Sequence, residues 1–212
     1  GVPGLDVPVA IAAEIQGNDQ ALSFPRFTVR HNKATLSAQG RLQWIPLLSW
    51  QADIQAAEVD PSVLLREWPG QFSGTLTTAG TMDQSLQATF QLSELKGTLR
   101  GYPLAGAGRM EMEGERLRFP EFFLKSGGSR LEIKGTSAPD LNLDLRFHSK
   151  NLAEVAPKAA GTLEARAHLG GSVNKPEIDL QIEGRTLAFD QNKIGQLKAT
   201  AKGLLASDGL VQ

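Results

Sequence analysis

The chain has no cysteine among its 212 residues. It therefore has no disulfide framework, no thiol nucleophile and no cysteine-ligated metal centre. That absence leaves the compartment open, because secreted and periplasmic chains also dispense with cysteine. Aromatic residues are sparse, with 9 Phe, 3 Trp and 1 Tyr. They do not interleave with basic side chains as a stacking platform for nucleic acid requires. Charge of one sign is missing too: 22 Lys and Arg oppose 23 Asp and Glu, for a net charge of −1. Such a balance provides no overall field to hold a polyanion, which argues against nucleic acid as a partner. No apolar run approaches the ~20 residues that span a bilayer. The first residue is Gly1, no leader-like segment opens the chain, and the pattern stops abruptly after Leu204. We read the chain as a piece of a longer protein, with any anchor or targeting signal outside it.

What the sequence does have is alternation. Val7, Val9, Ile11, Ala13 and Ile15 share one parity, as do Leu48, Trp50, Ala52, Ile54 and Ala56. Leu86, Ala88, Phe90 and Leu92 repeat the pattern. Leu141, Leu143, Leu145 and Phe147 alternate with Asn142, Asp144, Arg146 and His148, and Ile178, Leu180 and Ile182 with Asp179, Gln181 and Glu183. Successive side chains of a strand point to opposite faces, so these segments are strands with one apolar and one wet face. Turn-forming clusters at Gly17-Asn18-Asp19, His31-Asn32-Lys33, Ser126-Gly127-Gly128-Ser129, Pro139-Asp140 and Gly170-Gly171-Ser172 divide them into a meander of hairpins. At one turn every ~8–12 residues, about 15–18 strands are expected.

Helix signals are few. Asp60-Pro61 before Ser62–Glu67 offers a capping carboxylate and a proline suited to the first helical position. Asn151 before Leu152-Ala153-Glu154-Val155 is a weaker version. Each predicts roughly two turns at most. An internal repeat runs through these pieces. Phe24-Pro25-Arg26-Phe27 matches Phe119-Pro120-Glu121-Phe122, and without a gap Leu36 and Gly40 then match Leu131 and Gly135. Trp50-Ala52-Ile54 aligns with Leu143-Leu145-Phe147, Gly74-Thr75-Leu76 with Gly161-Thr162-Leu163, and Leu86-Ala88-Phe90 with Ile178-Leu180-Ile182. The chain is expected to be one continuous stretch of a repetitive architecture holding two units, approximately 24–118 and 119–212.

Catalytic patterns are missing. His31, His148 and His168 stand apart in sequence, and no metal-binding motif is present. Gly106-Ala107-Gly108 reads as a turn, because no helix follows it to make a phosphate loop. Glu111 and Glu113 read as a solvated face beside Arg109 and Arg116. Ser126 and Ser129 flank glycines with no nucleophile elbow around them. We expect neither an enzyme nor a bound cofactor.

An uncovered apolar face leaves two arrangements open, a closed sandwich or barrel and a trough open to a ligand. Two stretches bear on the choice. The first is Val59-Asp60-Pro61 through Trp68-Pro69-Gly70 and Gly74-Thr75-Leu76, continuing through Leu95-Lys96-Gly97-Thr98-Leu99-Arg100-Gly101-Tyr102-Pro103-Leu104-Ala105-Gly106-Ala107-Gly108. The second is Leu169-Gly170-Gly171-Ser172 through Pro176-Glu177-Ile178-Asp179-Leu180-Gln181-Ile182-Glu183-Gly184. Together they resemble the TamB family of AsmA-like repeating β-groove proteins, over about residues 50–203. The resemblance implies an all-β fold, an elongated curled antiparallel β-sheet (β-groove, or β-taco) of repeating hairpin units with one or two short helices. It implies a periplasmic bridge, anchored in the inner membrane by a segment not in this sequence, with an apolar groove carrying phospholipid for outer-membrane biogenesis. The alternative is a chaperone-like groove that receives β-strands of outer-membrane protein clients during translocation and assembly. A β-repeat without a ligand is the third reading. The partners are then phospholipid acyl chains or client strands, with an outer-membrane TamA-like protein reached through other regions. The expected groove lining is Leu48, Trp50, Ile54, Leu86, Phe90, Leu131, Ile133, Leu141, Leu143, Leu145, Phe147, Leu163, Ile178, Leu180 and Ile182.

Overall fold

The computed structural model describes residues 9–63 and 65–204; Val7 and Leu64 lie outside the described residues. Thirteen strands follow one another: β1 (Ala10–Gly17), β2 (Ala21–His31), β3 (Ala34–Gln43), β4 (Leu48–Val59), β5 (Gly70–Met82), β6 (Leu86–Leu99), β7 (Tyr102–Glu113), β8 (Arg116–Ser126), β9 (Ser129–Thr136), β10 (Asn142–Ser149), β11 (Ala159–Ser172), β12 (Lys175–Phe189) and β13 (Asn192–Leu204). They form one antiparallel sheet in chain order, and the sheet does not close. This is the expected all-β class. By internal packing the chain divides into two units, Gly1–Gly114 and Glu115–Gln212.

The thirteen strands are fewer than the about 15–18 expected from turn spacing. The reason is that several Gly and Pro breaks are bulges inside strands, which run to 15 residues in β12. In β2, Pro25 and Arg26 oppose the single residue Gln39 of β3. In β4, Ala57 and Glu58 oppose Ser73, whose hydroxyl accepts from the Glu58 amide at 3.1 Å. In β6, Glu94 and Leu95 oppose Gly74. In β8, Pro120 and Glu121 oppose Lys134, and in β12, Thr186 and Leu187 oppose Gly161. The extra residue is always on an even-numbered strand. Glu58, Glu94 and Thr186 are left-handed, with φ of 53°, 55° and 49°. A bulge bends its strand and sharpens its twist.

Both repeated motifs are thus bulge signatures. The prolines sit where the ladder needs no amide donor. Phe24 and Phe27, three residues apart, keep the same face because of the extra residue, and so do Phe119 and Phe122. Phe24 opposes Gly40 and Phe119 opposes Gly135. A Cβ on Gly40 would meet the Phe24 ring at 2.7 Å. Gly106-Ala107-Gly108 is not a turn but part of β7, with Gly106 opposite Leu95 and Gly108 opposite Leu92. Gly170 and Gly171 likewise lie within β11, and the turn falls at Val173-Asn174.

The helical segments are shorter than predicted. Pro61–Val63 is a single 3₁₀ turn, extended by the Leu65 amide donating to the Pro61 carbonyl at 2.8 Å. Asp60 accepts from the amides of Ser62 at 2.9 Å and Gly70 at 3.2 Å, spanning the connection between β4 and β5. Leu152–Glu154 is the second 3₁₀ turn, capped by Asn151 accepting from the Ala153 amide at 3.2 Å.

Two predictions follow from the backbone. Gly135 has φ of +126°, and a Cβ there would collide with the Asn142 carbonyl. Gly135→Ala should destabilise the chain by about 1–3 kcal/mol in urea unfolding, whereas Gly195→Ala, with nothing near its Cβ, should change stability by less than ~0.5 kcal/mol. The Ser62 amide, then the Ser62 hydroxyl, hold the Asp60 carboxyl below its ordinary value of 3.8. A lowered carboxyl contributes stability that is complete above its ordinary value and lost as pH falls through the folded value. The stability advantage of the parent over Asp60→Asn should therefore be constant near neutrality and shrink below pH 3.8, as followed by chemical denaturation against pH.

Candidate functional site

Cross-strand register shows which side chains share a face, because directly opposed residues point the same way. In the first unit, Leu42 opposes Trp50, Trp50 opposes Gly80, and Ile54 opposes Leu76. Leu48 opposes Met82, which opposes Leu86, and Thr78 opposes Phe90, which opposes Met110. Leu48, Trp50, Ile54, Leu86 and Phe90 therefore lie on one face. The Trp50 ring lies over Gly80, and its indole N–H donates to the Thr78 hydroxyl at 3.1 Å. The ring's one polar atom is thus satisfied within the apolar face.

The second unit repeats the arrangement. Leu131 opposes Phe147, Ile133 opposes Leu145, and Gly135 opposes Leu143. Phe147 opposes Ala165 and Leu143 opposes Leu169. Leu163, Ala165, Ala167 and Leu169 oppose Gly184, Ile182, Leu180 and Ile178. Leu141 precedes β10 and keeps its parity, its amide donating to the Gly171 carbonyl at 2.7 Å. All ten candidates of this unit share one face.

Within each unit the strands pack chiefly on their chain neighbours. Ala88 and Leu104 are the only apolar residues buried below a tenth of their surface among the described residues. The sheet is not closed into a barrel. The face is nevertheless shaded: along β11 the apolar positions Leu163, Ala165, Ala167 and Leu169 are half-buried while Glu164, Arg166 and His168 are exposed. Neighbouring side chains of the same bent sheet supply the shading.

The opposite face is a ladder of charges. His168 Nδ1 lies 2.9 Å from Asp144 Oδ1, and His148 Nδ1 lies 3.2 Å from Glu164. Lys202 pairs with Asp179 and Lys198 with Glu183, each at 3.3 Å. In the first unit Arg109 pairs with Glu111 at 2.8 Å. These exposed pairs contribute little stability, ~0–1 kcal/mol each. A cleft of about 430 Å³ near Phe123 holds Arg130, Lys134 and Arg146 with Glu121, Glu132 and Asp144. Its charges cancel, so it has no net pull on an ion. No cluster of His, Asp and Glu among the described residues is arranged to hold a metal.

Ser126 and Ser129 do flank a turn, and their role there is structural. The Ser129 hydroxyl bonds the Ser149 hydroxyl at 2.7 Å and donates to the Glu154 carboxylate at 2.6 Å. The Gly128 amide donates to the same carboxylate at 2.9 Å, and the Ser126 hydroxyl to the Glu154 carbonyl at 2.9 Å. Glu154 thus clamps the second 3₁₀ turn onto the β8–β9 hairpin.

The alternation overlooked face members that lie beyond a bulge. Leu95 and Leu99 are out of phase with Leu86–Leu92 until the extra residue in β6 is counted. The Phe-Pro-x-Phe motif was the available signal for Phe24, Phe27, Phe119 and Phe122. Met110 and Met112, alternating with Glu111 and Glu113, were legible but not assigned.

A family profile described as TamB, N-terminal domain, matches residues 2–209. The chain belongs to the TamB family. A curated relative, the translocation and assembly module subunit TamB of Haemophilus influenzae, is 21% identical over 166 residues. That match covers 77% of this TamB-family chain and 13% of the relative, so the chain spans only a small part of the relative's length. No solved structure matches it.

The clamp gives a prediction. Glu154→Ala strands the Gly128 amide and the Ser129 hydroxyl and should cost about 1–3 kcal/mol, whereas Glu164→Ala should cost less than ~1 kcal/mol, both read by urea unfolding.

Proposed function

We propose that this segment is part of a periplasmic bridge in which the apolar face forms a groove carrying phospholipid acyl chains between the inner and outer membranes. The observation that carries the reading is the half-exposed apolar face, continuous from strand to strand within each unit and backed by a largely polar one. An acyl chain leaving water for a dry surface gains ~0.8 kcal/mol per CH₂, about 12 kcal/mol at most for sixteen carbons. A lipid therefore needs no dedicated pocket. It needs a face without gaps and without a strong trap, which repeating units provide. We take those units to be approximately 24–118 and 119–212, with Leu48, Trp50, Ile54, Leu86 and Phe90 lining the first. Leu131, Ile133, Leu141, Leu143, Leu145, Phe147, Leu163, Ile178, Leu180 and Ile182 line the second. In this reading the protein is not an enzyme. Its inner-membrane anchor and its contact with a TamA-like outer-membrane protein lie in other segments.

The relative's name, a subunit of a translocation and assembly module, supports a second reading. The same face and an open sheet edge would receive strands of outer-membrane client proteins by β-augmentation. One experiment separates the two. Photocrosslinkers at Leu143, Phe147 and Leu180 of the full-length parent, with controls at Asp144 and Gln181, should capture phospholipid at the apolar positions only. Protein adducts there would favour the strand-receiving reading, and no adducts at any position would sink the conduit.

A charge placed in the groove gives a further prediction. Leu143→Asp and Leu180→Arg should abolish lipid capture while leaving a cooperative circular dichroism melt, because the half-exposed face costs only ~1–3 kcal/mol of lost burial. Unfolding of both variants would mean that the face is packed shut.

A further inference from the structure

The connections at the two ends of the strands differ in charge, and the difference recurs in both units. Antiparallel order puts the connections that follow even-numbered strands at one end and those that follow odd-numbered strands at the other. Because the strands run across the apolar face, these connections form its two rims. The rim after the odd strands is built from residues 18–20, 44–47, 83–85, 114–115, 137–141 and 173–174. It contains Asp19, Asp83, Glu115 and Asp140 and no Lys or Arg. The rim after the even strands contains Lys33, Arg66 and Arg100 in the first unit and Lys150 and Lys158 in the second.

That second rim also has four carboxylates, Asp60, Glu67, Glu154 and Asp190. Two of them are occupied internally. Asp60 is held by the Ser62 and Gly70 amides, and Glu154 by the Gly128 amide and the Ser129 hydroxyl. Lys33, Arg66, Lys150 and Lys158 are exposed. Arg100 stacks over the Trp68 ring at 5.7 Å, which fixes its guanidinium at the rim.

We propose that the rim formed by the connections after the even-numbered strands binds the phosphodiester headgroups of the amphiphile, so that lipid lies in the groove in one orientation. Its chains cover the apolar face, and its phosphates lie along Lys33, Arg66 and Arg100 in the first unit and against Lys150 and Lys158 in the second. The acidic rim repels the same phosphates. Charge complementarity selects a phosphate-bearing amphiphile over a neutral one of equal chain length and keeps the headgroup off the opposite edge. The cations of the first unit sit on three separate connections rather than in one cluster, so a phosphate passes from one to the next without a trap. This inference rests on the conduit reading.

The test uses the full-length parent protein and two photoreactive phosphatidylglycerols in vesicles, one with its diazirine in the headgroup and one with it at the chain end. Labelled peptides are mapped. The chain-end probe should label β10–β12, and the headgroup probe should label residues 150–158 and 32–33 in preference to 137–141 and 83–85. Lys150→Glu combined with Lys158→Glu should lower headgroup labelling of the 150–158 segment roughly tenfold or more, with chain-end labelling and the melt retained. Equal headgroup labelling of both rims, or labelling indifferent to the charge reversal, overturns the headgroup assignment while the conduit stands. Absence of chain-end labelling overturns the conduit itself and this inference with it.

Discussion

The constraint on which the structure depends is parity. A single open sheet in which only Ala88 and Leu104 are buried apolar residues among those described has little core in the ordinary sense, so its apolar side chains rely on one another for cover. Every strand must present them to the same side. A slip of one residue would move a whole row to the wet face. Simple alternation does not keep that phase everywhere, since Phe24 and Phe27, or Leu92 and Leu95, stand an odd number of residues apart. The bulges in β2, β4, β6, β8 and β12 are the correction. Each adds one residue, bends its strand and returns the next apolar side chain to the shared face. The short β10, with eight residues, has no extra residue in its described pairings.

This explains what the sequence made legible. The fold class was readable because alternation over segments such as Leu141–Phe147 has no other interpretation at that length. The common face was readable for residues within one uninterrupted stretch, which is why Leu143, Leu145 and Phe147 were found together. Strand number was misjudged because Gly106-Ala107-Gly108 and Gly170-Gly171 look like turns when read locally. Whether such a break reverses the chain or only bends it depends on pairing with the strands on either side, a non-local fact. For the same reason Leu95 and Leu99 escaped: their parity is right only after the bulge at Glu94 is counted. The clamp at Glu154 was hidden for a different reason, since it joins residues about 26 apart through a carboxylate whose neighbours carry no recognisable motif.

The two faces obey different rules. On the wet face, pairs such as His168–Asp144 and Lys202–Asp179 are exposed and individually weak. The register also sets like charges opposite one another, Arg146 against Arg166 and Glu164 against Glu183, so these charges keep that side wet more than they fix the pairing. Side-chain hydrogen bonds also fasten places where the chain leaves the sheet. Ser129, Ser149 and Glu154 fasten one 3₁₀ turn in a protected site, and Asp60 fastens the other at an exposed one. Both connections lie at one end of the strands, the end that also carries Lys33, Lys150 and Lys158.

On the proposed function, this division of labour has a reason. A pocket selects its ligand by particular contacts, so its sequence signature is a set of ligand-binding residues. A conduit for apolar chains requires that no position bind much better than the next, because a deep well would hold the lipid in place. The individual face residues are then interchangeable among Leu, Ile, Val, Ala and Phe as long as they stay apolar and in phase. What must recur is the backbone device that keeps them in phase. The elements that repeat in this chain are of that kind. Phe-Pro-x-Phe and Gly-Thr-Leu mark bulges, Gly40 leaves room for the Phe24 ring, and Gly135 for the close approach of the β10 backbone. A sequence that repeats its geometry and not its contacts is what transport without a binding site demands.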